Sequence, residues 1–351
     1  MINLKIKKIN VSMKVCEDIK LDFSDVLILP KNSELNSRSE VCLEDGQDII
    51  PVMTSNMDTT GTFEMFDEFY KNKLFTCIHK HYNLDEWKSF FERYENDKNI
   101  YKYFCVSIGT SENDFSKLQE VNKLSKNKIE YIMIDVANGY CSSFLQRVKN
   151  MKNVYHSKIL MAGNVVTGER TKELIENGVD VVKIGIGSGS VCTTRLKSGV
   201  GFPQFSAVLE CAKAAHECGG RIISDGGISC PGDIVKAFGA GADFVMLGSM
   251  LAGHDESGGN LVEIDNVKYK EFYGMSSATA MEKYNGGVAN YRSSEGKRVL
   301  TKYKGPVSET IKDFLGGIRS ACTYTNSKNI SELFFNCNFI KVNNQVNNIY
   351  K

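Results

Sequence analysis

One cysteine of this chain stands where a nucleophile would be set. The stretch Lys183 to Gly201, KIGIGSGSVCTTRLKSGVG, surrounds Cys192 with glycines at 185, 187, 189, 199 and 201 and follows it with Thr193, Thr194 and Arg195. A thiol on a flexible loop beside hydroxyls and a guanidinium is placed where its thiolate is favoured. A Gly-rich strand end also offers backbone N–H groups to phosphate. The same letters suit a loop cysteine packed beneath the rim of a pocket, and residue types alone do not separate the two. Ser224-Asp225-Gly226-Gly227 and Leu247-Gly248-Ser249 mark two more polar strand ends. Asp225 is too acidic for phosphate and suits ribose hydroxyls; a turn aspartate followed by two glycines is the plainer alternative.

These residues need a scaffold that gathers strand ends on one face. Apolar runs begin at Ile49–Ser55, Leu74–His79, Tyr103–Gly109, Tyr131–Ala137, Lys158–Gly163, Val181–Ile186, Arg221–Gly226 and Phe244–Gly248. Runs without polar alternation are buried on both faces, as in a parallel sheet covered by helices. Between them lie helix-like stretches: Phe63–Lys71, Glu169–Asn177 stopped by Gly178, Phe205–Cys218, and one opening at Pro231. The expected fold is α/β, a single (β/α)8 TIM barrel over 1–351, with a doubly wound sheet as the rival. The barrel is favoured because polar residues follow successive strands. An N-terminal extension (about 1–48), with Leu21–Pro30 set to cap the bottom or cross the mouth, precedes it. A Gly- and Ser-rich lid loop (about 270–306) follows the eighth strand, and the asparagine-rich tail (about 340–351) reads as poorly ordered.

Composition narrows the function classes. Lys+Arg 43 against Asp+Glu 42 leaves a net charge of +1, so no global field draws the chain to nucleic acid or lipid. The start MINLKIKKINVSMKVCED has no signal-like apolar run, and nothing approaches a membrane span. Eleven cysteines, an odd number without one C-x-x-C pair, suggest neither a disulfide framework nor a zinc site, and fit a reducing cytoplasm.

The motifs then converge. G-S-G-S-V-C-T-T-R-x-K-S-G-V-G-F-P-Q, S-D-G-G, D-F-V-M-L-G-S-M and F-Y-G-M-S-S resemble the family of inosine-5′-monophosphate dehydrogenase and guanosine-5′-monophosphate reductase. The resemblance runs from about Leu21 to Ser331 and includes K-L-D-F-S-D-V-L near the start, N-M-D-T at 56–59, H-K-H-Y at 79–82, I-D-V-A-N-G-Y at 134–140 and A-G-N-V-V-T-G-E at 162–169. It points to the reductase branch. Residues 80–102 alone separate His79 from Tyr103, leaving no room for the paired regulatory modules usual in the dehydrogenase. The loop around Cys192 and Val200–Gln204 looks like the reductase's. The G-M-S-S-A-T-A-M segment at 274–281 runs almost directly into Y-R-S-S-E-G at 291–296, without the dehydrogenase's long Arg-Tyr flap.

What the resemblance implies is a reductive deamination of GMP to IMP by NADPH, through a covalent thioimidate on Cys192, with Thr194 and Glu295 relaying protons. Substrate contacts would come from Asp225, Gly226, Gly227, Gly248, Ser249, Gly274, Met275, Ser276, Arg292, Ser293, Ser294, Glu295 and Gly296. Cofactor contacts would come from Lys80, Asp135, Val136, Ala137, Ile186, Gly187, Met275, Tyr291, Arg292, Ser320, Ala321, Cys322 and Thr323, with Ser37 and Arg38 reaching a neighbouring subunit's cofactor. Carbonyls of Gly187, Gly189, Cys192 and Arg195 match a monovalent cation (K+) site, and the family assembles as a homotetramer. Taken singly, Asp135 is a turn residue, Lys80 a solvated side chain and Glu295 a surface loop glutamate. Three places depart from the reductase pattern: Ser188 replaces a proline, Ser249 a glycine, and the pair Thr54-Ser55 is more polar than usual. The alternatives are the dehydrogenase reaction, IMP to XMP with NAD, and a purine-nucleotide-binding paralogue without turnover. No nucleic-acid or membrane partner is expected.

Overall fold

The computed structural model describes residues 15–46 and 48–343. After a short strand β1 (Val26–Ile28), the strands β2 (Ile50–Thr54), β3 (Leu74–Ile78), β4 (Phe104–Ile108), β5 (Tyr131–Asp135), β6 (Ile159–Val165), β7 (Val181–Ile184), β8 (Arg221–Asp225) and β9 (Phe244–Leu247) follow in order. Each pairs in parallel with the next, and β9 closes onto β2 through Val52, Met53 and Thr54. The barrel is therefore closed, which excludes the doubly wound sheet. Each strand lies within two residues of its expected bounds. β2, β3, β4, β7 and β9 are buried at every position, as residues covered on both faces must be.

The helices start where side chains can take up their free N–H groups. Thr62 caps the helix Phe63–Lys71 and Thr167 caps Gly168–Glu176, while Pro231 occupies the first turn of Pro231–Gly239. Inside the barrel, the Phe75 ring meets Tyr131 and Phe244 at centroid distances of 5.0 and 6.0 Å. Outside it, Phe63, Phe66, Trp87, Phe90 and Phe104 form a buried aromatic layer under the first two helices. Packing of such rings is worth roughly 0.5–1.5 kcal/mol per pair beyond area burial.

Three expectations are corrected or refined. The segment Leu21–Pro30 sides with the mouth: Asp22 Oδ1 accepts the Gln204 amide at 2.6 Å, and buried Phe23 packs edge-on against Phe205. The stretch after the eighth barrel strand is not a plain loop. β10 (Leu261–Ile264), β11 (Val267–Tyr273) and β12 (Arg298–Lys302) make a three-stranded antiparallel sheet, and a helix Ala278–Asn285 lies between the last two. The outer strands β10 and β12 have no fully buried position, so they lack the unbroken buried runs that mark the barrel strands. The tail starts as structure: β13 (Phe339–Lys341) pairs antiparallel with β1, and Phe339 packs on Phe205. Residues 344–351 of the expected tail, and 1–14 of the N-terminal extension, lie outside the described residues. Among those described, no helix is long and apolar enough to cross a membrane.

Candidate active site

The carboxyl ends of the barrel strands enclose a cavity of about 240 Å³. Its floor belongs to strand ends. Lys183, on β7, is 3% exposed and sets its ammonium 2.7 Å from Asp135 Oδ1 at the end of β5 and 2.7 Å from Asp225 Oδ2 at the end of β8. Asn164 on β6 donates to the same Asp225 Oδ2 at 2.8 Å and to the Gly185 carbonyl at 2.6 Å. Burial pushes the Asp135 carboxyl up, but the Lys183 charge and hydrogen bond outweigh it and hold Asp135 below the usual carboxylate range. Burial likewise pulls Lys183 down, and the two carboxylates overcome this and raise it above an ordinary lysine. The floor thus sets one buried ammonium between two carboxyl side chains, with Asp135 and Lys183 holding each other charged.

The wall is the loop after β7. Gly185 at φ +149° passes so close to β8 that a Cβ there would stand 2.0 Å from the Asp225 carbonyl oxygen, which only glycine permits. Beyond it the chain folds back, with the Cys192 amide donating to the Gly189 carbonyl at 3.0 Å. The Cys192 thiol donates to Thr194 Oγ1 at 3.2 Å, and that hydroxyl donates to Glu295 Oε2 at 2.7 Å. These two bonds form a continuous proton path from sulfur to carboxylate.

Glu295 arrives from the far side of the sequence and is stitched in by backbone. Its amide donates to the Ser276 carbonyl at 3.0 Å, the Thr193 amide donates to its carbonyl at 2.9 Å, and the Lys297 amide donates to Val191 at 2.9 Å. The roof carrying it is anchored at one buried carboxylate, Asp58. Asp58 Oδ2 accepts from Tyr273 at 2.7 Å, Lys283 at 2.9 Å and Tyr284 at 2.5 Å. Burial pushes Asp58 up, but these three donors win and hold it below the usual carboxylate range. Tyr284 also stacks on the His81 ring at 3.5 Å.

Fourteen of the expected residues meet here. Asp135, Val136, Ala137, Ile186, Gly187, Gly189, Cys192, Thr194, Asp225, Gly226, Gly274, Met275, Ser276 and Glu295 all line the cavity. Gly296 sits just behind it, bridged to Cys192, and Gly248 lies beside Ser55 and Met57 at the rim. Gly227 packs toward Gln204 and Phe23, and Ser249 opens a short turn outside the cavity. Ser294 spends its hydroxyl on the Gly296 carbonyl at 3.0 Å, while Tyr291, Arg292 and Ser293 are exposed on the roof. The guanidinium of Arg195 turns outward to Asp22 and the Phe202 carbonyl.

Other expected residues stand apart. Lys80 faces Asp114 at 4.0 Å on the neighbouring rim. Arg38 and Ser320 share a separate outer groove of about 590 Å³ with Glu309, Lys312 and Arg319, and Ser37 caps the turn that carries Arg38. Along the same helix Thr323 bonds the Ser320 carbonyl, Ala321 is half-buried, and Cys322 is fully buried in the core. Sequence reasoning left Lys183, Asn56, Asn164 and Asp58 without roles. One signal was available for Lys183: a lone charge inside the apolar run VVKIGI.

Volume does not identify the site. A cavity of about 780 Å³ opens at the amino ends of β2, β8 and β9, lined by Pro51, Arg221, Phe244 and Phe334. Its polar groups serve the fold: Asp243 Oδ2 accepts from His216 at 3.0 Å and from the Ile222 amide at 2.8 Å. Among its described residues the Cys42 thiol bonds the Glu44 carboxylate directly at 3.3 Å, with no hydroxyl between them.

The chain was compared with known proteins. The family model for the IMP dehydrogenase / GMP reductase domain matches residues 20–348. The chain is 53% identical over 342 residues to GMP reductase 2 of Homo sapiens, covering 95% of this chain and 97% of that protein. It is 53% identical over 340 residues to a GMP reductase of Caenorhabditis elegans, covering 94% of each. A GMP reductase of Aeromonas hydrophila is 49% identical over 347 residues, covering 96% of this chain and 99% of that protein.

Proposed function

The chain belongs to the IMP dehydrogenase / GMP reductase family, and from that premise we propose that it is a GMP reductase that converts GMP to IMP and ammonia at Cys192. The observation that carries this reading is the hydrogen-bonded path Cys192–Thr194–Glu295, which joins residues 101 positions apart at the wall of the strand-end cavity. Cys192 loses its proton along that path and its sulfur adds to C2 of the purine, forming an S–C2 bond. Glu295, through Thr194, returns the proton to the exocyclic amine, the C2–N bond breaks, and ammonia leaves. The resulting thioimidate is electrophilic at C2. After reduction at that carbon, the S–C2 bond breaks and the thiolate recovers.

A nicotinamide ring fits the cavity beside the sulfur. Val136, Ala137, Ile186 and Met275 give it flat apolar contact, and the ionised Asp135 gives a polar edge. NADPH, when bound, supplies the hydride. Asp225 keeps Oδ1 clear of partners while Oδ2 is tied to Lys183 and Asn164, which suits it to accept from ribose hydroxyls. The loop N–H groups of Gly226, Gly227, Gly248 and Ser249 suit the phosphate. A monovalent cation such as K+ would take the carbonyls of Gly187, Gly189, Cys192 and Arg195 on the segment after β7, of which those of Gly189 and Arg195 also accept the Cys192 and Gly199 amides.

The groove holding Arg38 and Ser320 lies outside the Cys192 cavity, which favours a homotetramer in which it serves a neighbour's NADPH. Eleven free thiols, two of them (Cys77 and Cys105) 3.0 Å apart yet unbridged, favour a reducing cytoplasmic setting. The test is direct. Purified protein in potassium buffer with GMP and NADPH consumes NADPH and releases ammonia in equal amounts. Flat NADPH absorbance with XMP formed from IMP and NAD would instead make it the dehydrogenase.

A further inference from the structure

We infer that Lys183 is a positioning residue that sets selectivity for the ribose: it fixes which oxygen of Asp225 faces the substrate. The inference rests on the reading of the site as one for a ribonucleotide and extends it to a buried group on the cavity floor. Lys183 is 3% exposed, and its ammonium has two partners, Asp135 and Asp225, each at 2.7 Å. A lone ammonium in such a place would lose its hydration without compensation, so the charge persists only because two carboxylates surround it.

The geometry is asymmetric in a useful way. Asp225 Oδ2 takes both Lys183 and Asn164, leaving Oδ1 to the cavity. Two donors on one oxygen hold the carboxylate plane, so Oδ1 stands still before substrate arrives. A preset acceptor discriminates sharply against an analogue that lacks the donor, because the acceptor is then desolvated without a partner. Without Lys183 only Asn164 would hold the carboxylate, and the oxygen that meets the sugar would be fixed less firmly. Asp135 shares the ammonium from the other side, which keeps Lys183 central rather than collapsed onto Asp225.

A merely structural lysine and a selectivity-setting one differ in a measurable ratio. The kcat/KM for GMP divided by that for 2′,3′-dideoxy-GMP is measured with NADPH for the natural enzyme and for Lys183→Met. The natural enzyme should favour GMP by at least about 100-fold. In Lys183→Met the ratio should fall below about 10-fold, with most of the change in kcat/KM for GMP and little in that for the dideoxy analogue. If Lys183→Met does not fold, Lys183→Gln, which keeps a donor but no charge, is expected to give an intermediate ratio. An unchanged ratio, with both substrates losing rate equally, would overturn the inference and leave Lys183 a structural residue. Absence of GMP turnover by the natural enzyme is a different failure, since it would reject the reductase reading itself.

Discussion

The floor and the roof of the cavity are built by different means. On the floor, Asp135, Lys183 and Asp225 sit at or near the ends of β5, β7 and β8, so the register of the closed barrel sets their spacing. On the roof, Glu295 is held by backbone bonds to Ser276 and Thr193, and its segment shares one buried anchor at Asp58. What strands position is lost only with the fold. What the roof positions can be lost alone, with the barrel intact. The proposed ribose contact, Asp225, therefore lies on the floor, the proposed purine contacts at 274–276 and 292–296 lie on the roof, and the hydrogen-bonded path crosses from wall to roof.

The largest effect should come where wall and roof meet. Cys192→Ala removes the nucleophile and is expected to lower kcat by at least about 10⁴-fold while GMP still binds, as read by calorimetry. Next comes the roof's own contribution. Glu295→Gln keeps the side chain's length but ends proton transfer, so kcat should drop about 10²- to 10³-fold with little change in GMP affinity. If GMP affinity falls as far as kcat, Glu295 acts by holding the purine rather than by moving its proton.

A smaller loss separates anchoring from chemistry. Asp58→Asn weakens the acceptor shared by Tyr273, Lys283 and Tyr284, and none of these three lines the cavity. Misplacing Glu295 should cost about 10- to 100-fold in kcat with near-normal GMP binding. An equal loss in GMP affinity would show that Asp58 supports floor and roof together.

The smallest effect is one of pH. Burial, helped by the Lys80 charge, pushes His81 down to about 4, so it is neutral where it stacks under Tyr284. An unfolded His81 takes its proton near 6.5, so the unfolded state binds more protons between the two values. Stability from this site is present above 6.5 and fades as pH falls toward 4. His81→Phe, which keeps the stack without titrating, should flatten the fall in Tm over that window by a few degrees. Equal slopes for both proteins would place the acid sensitivity elsewhere.

How much of this was legible in the sequence follows the same division. The eight barrel strands announce themselves as apolar runs because burial on both faces removes polar alternation. Cys192, Thr194 and Asp225 follow strands and could be picked out by type. Glu295 could not, since its segment reads as exposed loop and its partner is 101 residues away. Asp58 stood inside a quoted motif, yet its donors come from residues 273–284, which no local pattern connects to it. β12 went unseen because charged and half-buried residues alternate on an exposed edge. Lys183 heads the Gly-rich stretch, and a charge inside an apolar strand calls for buried partners, but no local pattern says that these are Asp135 and Asp225.

The most direct test is to trap the sulfur bond. Protein mixed with GMP alone, quenched in acid and digested, is analysed by mass spectrometry of the peptide containing Cys192. The mechanism requires a purine adduct lacking the exocyclic amine on that cysteine, abundant in the natural protein and scarce in Glu295→Gln. Robust turnover with no adduct on Cys192, or with the adduct on another residue, would contradict it.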